Sequence, residues 1–320
     1  YNFIMIHIAL TIDRKFVDNC AVTMVSILHN NCPSDIEFHI LSQGLLRENI
    51  DFLQGIAESY GASIHFYDIP DKMIEGYEVR WEGKRLSKVV FFRCILASVL
   101  SVDISRVLYL DCDILVLGSL KEFWDVDLEN KALAGIQDTV RPHPTYFVRL
   151  RYDESYSYFN GGVLLLNLDY WRQHDIEKKS LDYYVKYPDR VLLNDQDVLN
   201  AVLYDQKLLV DIKWNVQDDF YRRKRFKSSD WRDEYTEAIL HPVILHFSGR
   251  KPWAYHAMHP LRHLYFKYRD MTPLAKSPQF SRWDAIHRFI HLLPYTLRLK
   301  KQKYVDMKEV ERCFKTQKQG

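Results

Sequence analysis

Three things are scarce in this 320-residue sequence, and each scarcity removes a class of function. The five cysteines (Cys20, Cys32, Cys94, Cys112, Cys313) lie far apart and form no Cys-x-x-Cys or Cys/His cluster. That excludes a zinc module and a disulfide framework, and it fits reduced thiols in a cytoplasmic protein. No apolar run approaches the roughly 20 residues that cross a bilayer. The stretch Phe3–Ile12 has the length of a strand and is expected to be the first strand rather than a signal segment. The third absence is a Gly-x-Gly-x-x-Gly after that strand, so the dinucleotide-binding fingerprint is missing.

What is present suits a globular enzyme. Hydrophobic residues make up 47% and charged residues 27%, enough for a substantial core in one large domain. Strands are expected over 3–12, 37–41 and 63–67, with helices over 18–29 and 47–60. Ala21, Val25 and Leu28 share one face of the first helix, and Gly61 ends the second. Strand–helix alternation at this spacing predicts an α/β fold with a mostly parallel, twisted sheet flanked by helices. A further helix is expected over 86–100, bearing Arg93 near its middle. That arginine either snorkels to the surface or clamps a pyrophosphate with its planar fork.

The most informative stretch is Val107–Leu117, where a short apolar strand ends in Asp111-Cys112-Asp113 and a second apolar run follows. Two carboxylates in apolar surroundings are costly to bury unpaired. Strand residues two apart point the same way, so both can face one divalent cation. Asp caps of a turn explain the pair equally well. A phosphatase-type Asp-x-Asp wants Thr or Val two places after the second acid, where this chain has Leu115. Three more pieces follow. Asn160-Gly161-Gly162 precedes an apolar strand, and its glycines permit close backbone approach or a plain turn. Asn194-Asp195-Gln196-Asp197 heads an apolar helix, where Asn194 or Asp195 would serve as N-cap. Ile244-Leu245-His246 leads into the turn Ser248-Gly249-Arg250-Lys251.

In this order, over about residues 3–260, the pieces resemble retaining glycosyltransferases of family 8, among them bacterial lipopolysaccharide glucosyl- and galactosyltransferases. The resemblance implies a GT-A catalytic domain over residues 1–260. It also implies transfer of glucose or galactose from a UDP-sugar to a saccharide or glycolipid acceptor, with the anomeric configuration kept. Asp111, Asp113 and His246 then match the Mn²⁺ ligands, and their mixed carboxylate–imidazole chemistry suits Mn²⁺ better than Mg²⁺, which remains possible. Gly249 and Lys251 match the diphosphate turn, and Asp111 borders the donor as well. Asp13 matches the acid at the uracil or ribose end, while Lys15 stands where many relatives have Asn. Arg93 matches the bridge between donor sugar and phosphate. Asn160, Gly161, Asp195 and Gln196 match residues lining the sugar, with Gln196 toward the reacting carbon and Asp195 beside it as catalytic candidates. Asp138 matches a residue near the acceptor. The rival readings are a UDP-sugar-binding module without activity and the phosphatase-like hydrolase.

Residues 261–320 are expected to form a helical, basic extension. Residues 282–320 hold ten Lys/Arg against four acids, although the whole chain is only +2. Trp283, Ile286, Ile290, Leu293 and Leu297 fall at spacings of three and four, with basic residues beside them and Pro294 to kink or end the helix. Such a helix fits an anionic membrane surface, placing the protein peripherally on the cytoplasmic face. Packing on the core is the plainer alternative. No nucleic-acid-binding module accompanies the charge.

Overall fold

The computed structural model describes residues 5–79, 87–139, 144–277 and 279–317. The expected strand start at Phe3, the expected helix start at Leu86, and Lys318 lie outside them. Among the described residues ten strands form two sheets: β1 (Ile6–Ile12), β2 (Ile36–Ser42), β3 (Ser63–Asp68), β4 (Arg106–Leu110), β5 (Ile114–Val116), β6 (Leu133–Gln137), β7 (Phe159–Asn167), β8 (Lys207–Leu209), β9 (Val216–Gln217) and β10 (Ile244–His246). The large sheet runs β3-β2-β1-β4-β7-β6-β8 and the small one β5-β10-β9. Pairing in the large sheet is parallel except where β7 runs against both β4 and β6.

Both faces of the large sheet are covered, which explains the unbroken apolar strands. Alternation sorts each strand between two cores. Ile8, Leu10, Leu108, Leu110 and Leu165 point to one, with α1 (Val17–Asn30) and α2 (Arg47–Tyr60). Ala9, Val107, Tyr109, Leu164 and Leu166 point to the other. There they meet α3 (Leu96–Val99), α6 (Leu168–Gln173), α7 (Ile176–Lys186) and α8 (Asn194–Val202). The first core continues past the small sheet, taking in α4 (Lys121–Trp124), α10 (Asp233–Leu240) and α11 (Arg262–Arg269). Two smaller pieces, α5 (Pro144–Leu150) and α9 (Arg223–Phe226), complete this body.

Helix α1 is buried nearly all round because it lies between the two sheets. Its hydroxyls hold β5 in place: Thr23 Oγ1 donates to Ile114 O at 3.1 Å, and Ser26 Oγ accepts from Val116 N at 3.0 Å. The segment expected as a helix over 86–100 is instead a 3₁₀ turn over Lys88–Ile95 followed by α3. Its continuous apolar character does not distinguish three residues per turn from 3.6.

The last sixty residues divide three ways. Helix α11 packs on α1, where Tyr265 OH and Asn19 Oδ1 are 2.9 Å apart and Asn30 Nδ2 donates to Tyr268 OH at 2.8 Å. At the far end, α13 (Met307–Gln317) buries Val310 in the same core as α10. Between them α12 (Arg282–Thr296) stands outward, capped by a reciprocal Ser281–Asp284 box. Pro294 ends this helix rather than kinking it, since the helix stops two residues later. Trp283 is 71% exposed, Phe289 66% and Ile290 59%, so α12 keeps an apolar face in the open.

Candidate active site

The C-terminal edges of β1, β4 and β10, together with the N-terminal half of β7, lie at one end of the sheets, where the polar candidates gather. β4 ends at Leu110, and Asp111 and Asp113 sit in the turn that carries the chain from the large sheet to β5 in the small one. Their common direction therefore comes from this turn, not from alternation within one strand. β10 pairs with β5 so that His246 lies opposite Ile114, one residue past Asp113. Ligand atoms of Asp111, Asp113 and His246 all lie within 4.8 Å of one another.

A break in β7 shapes the other wall. β6 pairs Gly135 with Leu164 but Ile136 with Asn160, so Gly161, Gly162 and Val163 bow out of the ladder. Asn200 of α8 repairs the break: its Oδ1 accepts from Phe159 N and its Nδ2 donates to Phe159 O, both at 2.8 Å. The bow is possible only because Gly162 has no side chain. A Cβ there would stand 2.5 Å from His246 Cε1 and 2.7 Å from Asp111 Oδ2. Gly249 is constrained in the same way by Asp218, whose Oδ2 would lie 2.6 Å from an added Cβ.

Hydrogen bonds fix the orientation of nearly every group. Asn160 Oδ1 accepts from Gly162 N at 3.0 Å and from Asn215 Nδ2 at 2.9 Å. That leaves Asn215 Oδ1 to accept from His246 Nδ1, 2.9 Å away. The imidazole therefore carries its proton on Nδ1 and turns the Nε2 lone pair toward Asp113, as a metal-binding histidine must. Asn160 Nδ2 donates to Asp138 Oδ2 at 2.9 Å, and Gln196 Nε2 donates to the same oxygen at 3.0 Å. Gln196 Oε1 accepts from Gly161 N at 2.8 Å.

Arg93 is buried at the centre of the charges. Its Nη2 donates to Asp111 Oδ1 at 2.9 Å, its Nη1 to the Gly161 carbonyl, and its guanidinium lies 4.4 Å from the Tyr109 ring centroid. Nε stands 2.9 Å from Asp195 Oδ2 as an ion pair without hydrogen-bond geometry. Burial would lower the Arg93 pKa, but Asp111 and Asp195 together raise it, so the cation is permanent. For Asp195 burial dominates: it lifts the carboxyl from 3.8 to about 7 despite the pull of Arg93, and the Asp111 charge adds to the rise. Burial also pushes Asp113 upward, but the Lys251 cation outweighs it and holds this carboxyl well below the usual range.

The residues present fit a divalent cation. Asp113 Oδ1 is buried, has no hydrogen-bond partner and lies 3.3 Å from His246 Nε2. An orphaned carboxylate oxygen beside an imidazole lone pair is a cost that a bound cation removes. Lys251 Nζ meets the other oxygen, Oδ2, and also donates to Phe247 O at 3.0 Å.

The other sequence candidates fall into place around this centre. Arg93 does not snorkel. Asp138 joins the buried amide network. Asp13 stands apart from that network at the end of β1, where its Oδ1 accepts from Lys15 N at 2.9 Å, and Lys15 itself is exposed. The capping expected of Asn194 or Asp195 is not seen. Asp197 folds back to accept from Leu192 N at 2.7 Å and Leu193 N at 2.6 Å, and it pairs with Arg149. Sequence reasoning missed Asn215 and Asn200. Each is a single amide with no motif around it, and only the assembled fold shows what it orients.

Comparison with known proteins agrees with this geometry. A profile described as glycosyl transferase family 8 matches residues 7–257. General stress protein A of Bacillus subtilis is 28% identical over 84% of this chain and 94% of its own. Lipopolysaccharide 1,3-galactosyltransferase of Salmonella typhimurium is 27% identical over 83% of this chain and 78% of its own. Among solved structures, the galactosyltransferase LgtC in complex with donor and acceptor sugar analogs superposes with a TM-score of 0.74 at 25% identity, covering 84% of this chain and 96% of that one. The expected GT-A architecture is thus the one observed.

Proposed function

This chain belongs to glycosyl transferase family 8, and from that membership and its site we propose that it moves a glucose or galactose from a UDP-sugar to a saccharide or glycolipid acceptor, with retention at the anomeric carbon. The phosphatase-like reading falls with the family membership. The observation that carries the proposal is the buried, unpartnered Asp113 Oδ1 facing the Nε2 lone pair of His246, with Asp111 completing the set. Asp111, Asp113 and His246 would hold Mn²⁺. Bound there, the ion would supply charge neutralisation for the diphosphate as its bond to the sugar breaks.

The chain's own residues do the rest. Arg93 is held rigid as a cation by three partners and would stand where the sugar meets the phosphates. Lys251, 35% exposed and tethered to Phe247 O, supplies a second charge on the turn after His246. Gly161 and Asn160, held in the bow of β7 by Arg93, Gln196, Asp138 and Asn215, would shape the wall against which the sugar lies. Gln196 has both amide ends engaged, and Asp195 is turned to Arg93. An amide is a poor nucleophile and this carboxylate is already paired, so the arrangement favours front-face transfer over a covalent intermediate. Asp138, tied to both Asn160 and Gln196, borders the acceptor side.

The exposed apolar face of α12, with Arg282 and Arg298 at its ends, would rest on an anionic membrane surface and hold the enzyme beside a lipid-linked acceptor. No helix among the described residues is long and apolar enough to cross a membrane. The test is UDP release from a panel of UDP-sugars with and without Mn²⁺. Mn²⁺-dependent release from UDP-glucose or UDP-galactose, lost in Asp113→Asn, is the expected result. Release that ignores both the metal and the substitution contradicts the assignment.

A further inference from the structure

A second concave surface lies behind the turn that follows His246. It is a groove of about 1360 Å³ between residues 218–227 and residues 295–303, lined by eight Lys/Arg against two Asp. Two basic segments far apart in sequence repel each other, yet the chain stitches them side by side. Arg222 and Tyr304 form an isolated antiparallel bridge, Arg223 N donates to Lys303 O at 2.9 Å, and Val305 N donates to Tyr221 O at 2.9 Å. Tyr304 OH donates to Asp218 Oδ1 at 2.8 Å, and the Arg222 guanidinium lies over the Tyr304 ring.

Internal compensation is small. Asp218 is taken by Arg222, and Arg223 reaches Glu309 at 3.7 Å. Lys224, Lys227, Arg298, Lys300, Lys301 and Lys303 make no ion pair among the described residues. Concentrated positive charge in a concavity raises the local concentration of anions, and six uncompensated cations match a group of more than one charge. Lysines act on phosphate as point charges and need no fixed fork.

The position of the groove gives it a role. Asp218 on its floor packs against Gly249, and Ser248 Oγ accepts from Asp218 N at 3.2 Å. The turn carrying Ser248 and Gly249 is thus the wall between the groove and the metal-ligand set, and Lys251 on the same turn faces Asp113 on the other side. The opposite end of the groove is the last turn of α12, through Tyr295 and Thr296, where the exposed apolar face begins. A cationic hollow lies between a transfer site and an apolar surface. We propose that this groove is a subsite for the phosphate of an amphiphilic acceptor, a phosphate or pyrophosphate that joins the sugar to be extended to a lipid chain. The inference rests on the transferase reading, whose donor cations Arg93 and Lys251 belong to the other side of the wall.

The test uses the full chain and dodecyl phosphate below its micelle-forming concentration, titrated by calorimetry. Inorganic phosphate and phosphatidylcholine vesicles with and without phosphatidylglycerol form the comparison arms. Lys224→Glu/Lys300→Glu reverses charge on both walls, and Lys178→Glu/Lys179→Glu makes the same net change on α7. The groove variant should bind dodecyl phosphate about tenfold more weakly or worse, while the α7 variant matches the wild type. Equal affinity in both variants overturns the proposal. So does displacement of dodecyl phosphate by an equal concentration of inorganic phosphate, which marks a free-ion site. Loss of vesicle binding alone, with dodecyl phosphate unaffected, marks a lipid-surface patch and overturns it too. UDP binding with Mn²⁺ in the same preparations separates the two readings: intact UDP binding with no groove effect removes the subsite alone, whereas no UDP binding in the wild type removes the transferase reading and the acceptor role with it.

Discussion

The donor site and helix α12 are opposite solutions to placing chemistry on a protein. In the donor site almost every polar atom is committed: the Asn160, Asn215 and Gln196 amides, the Arg93 guanidinium and the His246 Nδ1 each have a named partner. The gap is Asp113 Oδ1. On α12 and the basic loop after it, Trp283, Phe289, Ile290 and several lysines face outward, while Arg288 is tied to the chain at the Tyr255 and Ala257 carbonyls. A preorganised network acts on a small ligand without rearranging, which is how fixed dipoles lower a barrier. An uncommitted surface gains its free energy only when an external partner covers it. On the proposed reading, the first region would carry the chemistry and the second the attachment.

The comparison breaks most severely at Gly162. Gly162→Ala forces a methyl against His246 and Asp111, and the turnover loss should reach about a hundredfold or more, the scale of losing one preorganised stabilising group. Full activity with Mn²⁺ bound would show that the bow in β7 is not part of the site. Asn215→Ala is a gentler probe, since it touches only a ligand's orientation. Mn²⁺ affinity should fall by about 10–100-fold with the fold retained, read by metal titration in the presence of UDP. An unchanged affinity would mean that the His246 tautomer is set elsewhere.

Asp195 gives a smaller, pH-dependent effect. Its folded pKa of about 7 lies above the ordinary 3.8, so the folded state holds a proton that the unfolded chain has released. Stability from this group is fully present below 3.8 and is lost as pH rises to about 7. Asp195→Asn should flatten the fall in stability over that window by at most about 1.4 kcal/mol per pH unit, in metal-free protein followed by chemical denaturation. A variant as pH-dependent as the wild type would place the proton on another group. The smallest effect on chemistry belongs to α12: Trp283→Ser/Ile290→Ser should leave turnover on a water-soluble acceptor unchanged while weakening attachment to anionic vesicles. A matching loss of soluble-acceptor turnover would tie α12 to the donor site instead.

The same contrast decides what was legible in the sequence. Alternation and helix periodicity depend on burial, so β2, α2 and β3 fall within a residue of their expected bounds and β1 ends where expected, at Ile12. Asp111, Asp113 and His246 were recognisable because motif order survives where a single spacing says little. Their joint direction comes from a turn between two sheets, which no local pattern encodes. Asn215 and Asn200 were invisible because one amide carries no periodicity, and its role exists only once β7 has bowed. The stripe on α12 was readable as a stripe, but packed and exposed faces look alike in sequence. Only the fold shows that α12 docks by one face, through Arg288 on the Tyr255 and Ala257 carbonyls and through buried Tyr295, and leaves its apolar stripe outward.

The most direct test of the account is a calorimetric titration of UDP into the wild-type chain, with Mn²⁺ and again with chelator. The account predicts tight binding that requires the metal and disappears in Asp113→Asn. If UDP does not bind with Mn²⁺ present, or binds equally well without it, the orphaned oxygen between Asp113 and His246 is not a metal position and the central claim fails.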